Sequence, residues 1–291
     1  MIEFLAAPFI ACLILTGIHA YLGIHVIERK VIFVDLSLAQ VAALGAALGY
    51  LLGFEFGSTE AYIVSLLFTF FGAAVFSLTR MRREKVPQEA IIGIVYAVSA
   101  AAAVLVMDKA PQSAERIKGM LVGSILYVTW PLIIKTFILY SLIGLFHFVF
   151  RRRFILISLD PQQAYQEGIW VRFWDFLFYT SFGFVVTSSV AIAGVLLVFS
   201  YLVVPAVCAV LFSEKFNVRL AIGWTLGFLA SFLGIYFSVL LDLPTGTAVV
   251  CTFGVILVLS AVVRAFLVKP KKAKIEEPLE VSPSLINSRG I

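Results

Sequence analysis

Apolar residues in this chain fall into blocks of about twenty, each ended by a short polar interruption. That spacing predicts membrane-spanning helices rather than the faces of a soluble fold. Nine blocks can be drawn, at about 3–27, 31–53, 60–80, 88–107, 130–150, 172–190, 193–212, 218–241 and 246–267. The stretch 172–212 can also be read as one crossing plus a broken or re-entrant helix around a turn near 187–192, which gives eight. The expected fold class is all-α, a polytopic helix bundle with about nine transmembrane helices. It forms one transmembrane domain over 1–268, and the polar, Pro-containing stretch 269–291 is expected to be a disordered tail.

Composition supports the pattern. Hydrophobic residues make up 62% of the chain and charged residues 13%, about half the charged share of a soluble domain, and the mean hydropathy is +1.04. The net charge of +5 lies in short basic clusters between apolar blocks, so no nucleic-acid partner is expected. Alternate connections carry 18 and three Lys or Arg, and Lys135 accounts for the last of the 22. The poor set is Lys109, Arg116 and Lys118. The positive-inside rule then places the N-terminus outside and the C-terminus in the cytoplasm of a multi-pass protein of the inner or plasma membrane. The opening stretch lacks a basic leader and is too long for a signal peptide, so it reads as a retained first helix. Cys12, Cys208 and Cys251 lie in apolar runs without metal or disulfide spacing and read as small buried hydrophobes. There is no Walker A, HExxH or GxSxG motif. The chain is not expected to be an enzyme, and work against a gradient would draw on ions or on a separate ATPase chain.

The longest basic-side connection, "RRRFILISLDPQQAYQEG" at 151–168, carries the most information. Within it "SLDPQQAYQEGI" reads as a short capped helix. Asp160 suits the N-cap, Pro161 the first helical position, and Gly168 a left-handed stop. A rigid helix between two spans can receive a push from a soluble motor. An amphipathic surface helix with no partner is the plainer reading.

The pattern S-x-D-P-x-x-A-x-x-x-G-I, with Ala164 at its centre, resembles the coupling segment of the ABC-3 family of permeases, the membrane subunits of ABC importers for zinc, manganese and iron. Other stretches resemble the same family in the same order: "LGIHVIERKVIFVDLSLAQVAALGAALGYLLG", "QEAIIGIVYAVSAAAAVLV", "KGMLVGSILYVTW", "VAIAGVLLVFSYLVVPAVCAVLF" and "LDLPTGTAVV". The resemblance covers about residues 13–267. It implies a permease-like fold and an importer core with a second permease copy, identical or paired. Cytoplasmic ATPases would dock on a coupling segment near 154–170, and an extracytoplasmic substrate-binding protein would deliver the cargo. It implies no cofactor on this chain, a divalent metal as substrate, and function inside a lipid bilayer.

The second helix, "VDLSLAQVAALGAALGYLLG" from Val34, is where that family usually carries an Asp and a His one turn apart. Anchored on Gly45, those positions fall on Leu36 and Gln40, with Asp35 one residue early. Asp35 and Gln40 point roughly 140° apart on a regular helix. Gln40 shares a face with Ser37. Asp35 lies on a small-residue stripe through Gly49 and Gly53, and Gly45, Gly49 and Gly53 form a GxxxGxxxG run suited to close helix packing. Two readings of Asp35 stay open: an interfacial or packing residue paired with Arg29 or Lys30, or part of a substrate pathway with Ser37 and Gln40. Gln40 is a poor ligand for Zn²⁺ or Mn²⁺ and suits an interhelical hydrogen bond, and Ser37 suits helix packing. The metal ligands are therefore left unassigned.

His19 and His25 sit about 120° apart on the first helix, and His147 reads as interfacial. Glu89 suits a first-turn helix acid. Pro205 should kink its helix or free a carbonyl. Two other function classes stay open. A gradient-driven transporter would require a charged relay in mid-membrane, and a non-transporting scaffold would bind no ATPase.

Overall fold

The computed structural model describes residues 2–55, 58–81, 86–108 and 125–267. The tail 269–291, and Lys109, Arg116 and Lys118 of the basic-residue count, lie outside the described residues.

In lipid every backbone N–H and C=O must be satisfied within the segment, so apolar runs of this length become helices. The helices are α1 (Ile2–Glu28), α2 (Val34–Leu51), α3 (Thr59–Leu78), α4 (Gln88–Met107), α5 (Trp130–Val149), α6 (Arg151–Leu159), α7 (Pro161–Gln166), α8 (Val171–Ala193), α9 (Val195–Phe212), α10 (Phe216–Leu240) and α11 (Thr245–Leu267). A 3-10 turn at Ile125–Tyr127 precedes α5. Nine of these helices, all except α6 and α7, are long and apolar enough to cross a membrane.

This favours nine crossings over eight, and it moves the expected turn near 187–192. Helices α8 and α9 are separated by Gly194 alone, at φ 77° and ψ 161°. That is backbone an L side chain rarely adopts.

Helices α1, α9, α10 and α11 form one packed group, and α2, α3, α4 and α8 form the other. Helix α5 lies against α1 and α8, and α6 and α7 fold back under α8. Small residues allow the closest approaches. A Cβ on Gly45 would meet Phe68 Cβ and Ser65 Cα of α3 at 2.9 Å, and one on Gly23 would run into the Leu202 carbonyl of α9. Ser65 ties the first of these contacts by donating to the Ala42 carbonyl at 2.9 Å. Gly53 departs from the expected packing run. At φ 93° it ends α2, its N–H donating to Tyr50 and that of Phe54 to Gly49, a Schellman stop. Helix α9 continues as one helix through Pro205, so proline frees the Tyr201 carbonyl without breaking the element. Cys12 and Cys208 are buried as expected, whereas Cys251 is exposed on α11.

Candidate coupling site and the buried polar network beneath it

The segment between α5 and α8 is built in two steps. Helix α6 buries Phe154, Ile157 and Ser158, positions one turn apart on one face, and leaves Arg151, Arg152 and Arg153 exposed. Asp160 then ends α6 and caps α7, its Oδ1 accepting from the Gln163 N–H at 2.9 Å. Pro161 opens α7, where a missing N–H costs nothing. At the far end the Gly168 N–H donates to Tyr165 and the Ile169 N–H to Ala164, with Gly168 at φ 73°. These two bonds again form a Schellman stop. Ala164 is fully buried, while Gln162, Gln163, Gln166 and Glu167 are exposed. All four residues expected for coupling therefore cooperate in one short helix that presents a polar face outward. Sequence reasoning missed α6, because Phe150 separates two helices with no Gly or Pro to mark the join.

Directly beneath this segment is a polar cluster that the sequence reading did not assemble. Asp175, in the second turn of α8, is fully buried. Its Oδ1 accepts from Arg29 at 2.5 Å and its Oδ2 from Arg80 at 2.7 Å. Arg29 also donates from Nε to Ser158 Oγ at 2.8 Å and lies 4.0 Å over the Phe178 ring. Ser158 Oγ is shared with His25 Nδ1 at 2.8 Å. Burial opposes the charge on Arg80, but the Asp175 carboxylate, with Tyr179 and Tyr165 adding to it, outweighs burial and holds its pKa above the ordinary value. Nearby, Ser77 donates to the Arg172 carbonyl at 2.7 Å, and Gln88 donates to the Phe76 carbonyl at 2.9 Å and to Tyr179 at 3.2 Å.

The network continues along α8. His147 is 1% exposed, bonded to Ser181 at 2.8 Å and Tyr21 at 3.2 Å and stacked on Phe154, so the interfacial reading of His147 is corrected. Its ring stacks on Phe154 of α6 and reaches Tyr21 of α1 and Ser181 of α8, and burial is cheap because both nitrogens are bonded. His19 bonds the Leu15 carbonyl and Ser189, and Ser189 bonds Tyr140. Each histidine thus meets its own serine, and among the described residues no group of three or more His, Cys, Asp or Glu could hold a metal.

At the head of α2 the expectations divide. Ser37 donates to the Ile92 carbonyl of α4 at 3.1 Å, a helix-packing hydroxyl. Asp35 does not pair with Arg29, whose guanidinium is taken by Asp175. It is 2% exposed, and its Oδ1 has no hydrogen-bond partner among the described residues. Glu89 does more than stabilise its own helix, since its Oε1 accepts the Phe33 N–H at 3.0 Å at the entry to α2. Gln40 is half-buried and makes no hydrogen bond to another described side chain or carbonyl, so the expected interhelical bond is absent and Ser37 supplies it instead.

Asp175 could have been found. It is an acid inside an apolar segment, "VRFWDFLFYTSFGF", and the rule that singles out Asp35 applies to it equally. Its partners could not, because Arg29 and Arg80 are distant in sequence and look like ordinary interface cations.

The sequence matches the ABC 3 transport family over residues 1–264. It is 25% identical over 281 residues to the manganese transport system membrane protein MntC of Listeria monocytogenes, covering 93% of this chain and 92% of that protein. It is 27% identical over 255 residues to a Haemophilus influenzae protein named "Probable iron transport system membrane protein", covering 88% of this chain and 86% of the other. In three dimensions it is similar to PsaBC from Streptococcus pneumoniae in complex with Fab, with a TM-score of 0.71 at 22% identity over 89% of this chain and 91% of that one.

Proposed function

The chain belongs to the ABC 3 transport family, and from that membership we propose that it is the membrane permease of an ATP-driven importer of divalent metal ions of the zinc, manganese or iron type. The observation that carries the mechanism is α7, a helix capped at both ends, exposed on its polar face and rooted through Ala164 and the buried face of α6. A short helix so fixed can take a load from a soluble partner without unwinding. ATP hydrolysis belongs to separate cytoplasmic subunits that dock on Asp160–Gly168. The side bearing α7 faces the cytoplasm with the C-terminus, and the N-terminus lies outside, as the basic-residue count supports. A second permease copy, identical or paired, completes the core, and an extracytoplasmic binding protein delivers the metal as cargo.

Asp35 and Gln40 are the α2 side chains left for the pathway, since Ser37 is engaged with Ile92. A buried carboxylate oxygen without a partner supports that role for Asp35. A gradient-driven mechanism gains little from the buried charges. Asp175 lies near the start of α8, and Arg29 and Arg80 just beyond the ends of α1 and α3, so the charged group gathers at one end of the bundle. The test is Ala164→Pro, which breaks α7. Loss of ATPase co-purification and of ATP-driven metal uptake, with membrane insertion intact, is expected. Unchanged uptake would overturn the coupling role.

A further inference from the structure

Asp175 is where four parts of the chain meet. Arg29 follows α1, Arg80 follows α3, Asp175 itself sits in α8, and Ser158 is the last buried residue of α6, two positions before the α7 cap. The side chains of the ion-paired groups are between 0% and 11% exposed. Arg80 also lies within electrostatic reach of Tyr165 on α7. The coupling segment is thus bonded to the cluster through Ser158 on α6, and α7 begins three residues later.

Buried ion pairs are poor sources of stability, because well-packed apolar side chains hold helices together without the desolvation cost. What they supply is geometric. Both Asp175 oxygens are occupied, each by an arginine from a different element. Sliding α3 past α8 would leave a buried charge unpaired, and sliding α6 past α1 would strip Arg29 of its bond to Ser158. The lower-cost motion carries all four elements together.

We infer that Asp175 is a positioning residue for transport, joining the feet of α1 and α3 to the coupling segment, with Ser158 as the tie from α6. This rests on the permease reading. A displacement of α7 by a docked ATPase is then passed to α1 and α3, which belong to different packed groups, rather than being absorbed locally.

Two variants test this without orphaning the carboxylate. Ser158→Ala removes the tie from α6. Arg29→Lys keeps a cation for Asp175 but cannot span both Asp175 and Ser158. Each is assembled with its ATPase and binding protein in proteoliposomes, and three quantities are read: ATPase bound, ATP hydrolysed, and metal transported per ATP. The expected result is normal ATPase binding and continuing hydrolysis, with metal per ATP lower by about fivefold or more, the low end of ordinary coupling between sites. A purely structural role would reduce the yield of complex and leave that ratio alone. An unchanged ratio in both variants overturns the inference, as does a fall that merely tracks lost ATPase binding. If the unaltered complex binds no ATPase, the permease reading falls and takes this inference with it.

Discussion

Arg29 and Asp175, 146 positions apart, meet through a 2.5 Å ion pair in which neither side chain is more than 1% exposed. Asp175→Asn leaves two arginines facing a neutral amide. Removing one partner of a buried pair costs about 3–5 kcal/mol, so the detergent-purified variant should unfold at a markedly lower temperature. Added salt should change the wild-type midpoint little, because buried charges are poorly screened. Arg152 and Glu167, 3.7 Å apart with Arg152 87% exposed, are the contrast, and Arg152→Ala should leave the midpoint unchanged.

The contact between α2 and α3 depends on the missing side chain of Gly45. Gly45→Val places carbon against Phe68 and Ser65 at distances that packed atoms do not tolerate. Overpacking of this kind costs about 1–3 kcal/mol, read as a lower midpoint and faster proteolysis between α2 and α3. Gly254→Ala on α11 is the control, since nothing lies within 4 Å of its added Cβ.

The two ends of α7 can be tested separately from the bundle. Asp160→Ala removes the bond to Gln163, a cap worth about 1 kcal/mol. Gly168→Ala forces a side chain into positive φ. Both changes act locally on the short α7, outside the two packed groups, so the global unfolding midpoint should shift little while ATPase co-purification weakens. A lowered midpoint with full ATPase recovery would contradict the docking assignment.

Metal uptake with Asp35→Ala and Gln40→Ala addresses the pathway. Loss of a carboxylate that holds or orients a metal lowers affinity or activity by about 10–100-fold, so Asp35→Ala should reduce uptake to that extent. Gln40→Ala should act more weakly, because a neutral amide is a poor donor to these metals. Uptake that survives both changes would place the cargo away from the head of α2.

Much of this was legible in one dimension, for stated reasons. The nine apolar blocks map onto nine helices because a bilayer leaves the backbone few alternatives. The caps of α7 were readable because Asp160, Pro161 and Gly168 act through their own local backbone. Gly53 was misassigned for a related reason: a GxxxG register does not show that the third glycine lies past the helix end, where φ turns positive. The Asp175 cluster was hidden because its members lie on separate segments, and only the fold brings Arg29, Arg80, Ser158 and Asp175 to one point. The pairing of Asp35 with Arg29 failed on the same account, since a nearer acid in space takes the guanidinium.

Gly194 also bears on how the topology of this chain can be mapped. From Ile192 to Val195 every residue is buried, so the reversal between α8 and α9 presents no side chain to solvent. A membrane-impermeant label directed at Ile192–Val195 will find nothing to modify, although Ala191 and Leu196 on either side are exposed. A map that counts crossings from accessible loops would join α8 to α9 and arrive at eight.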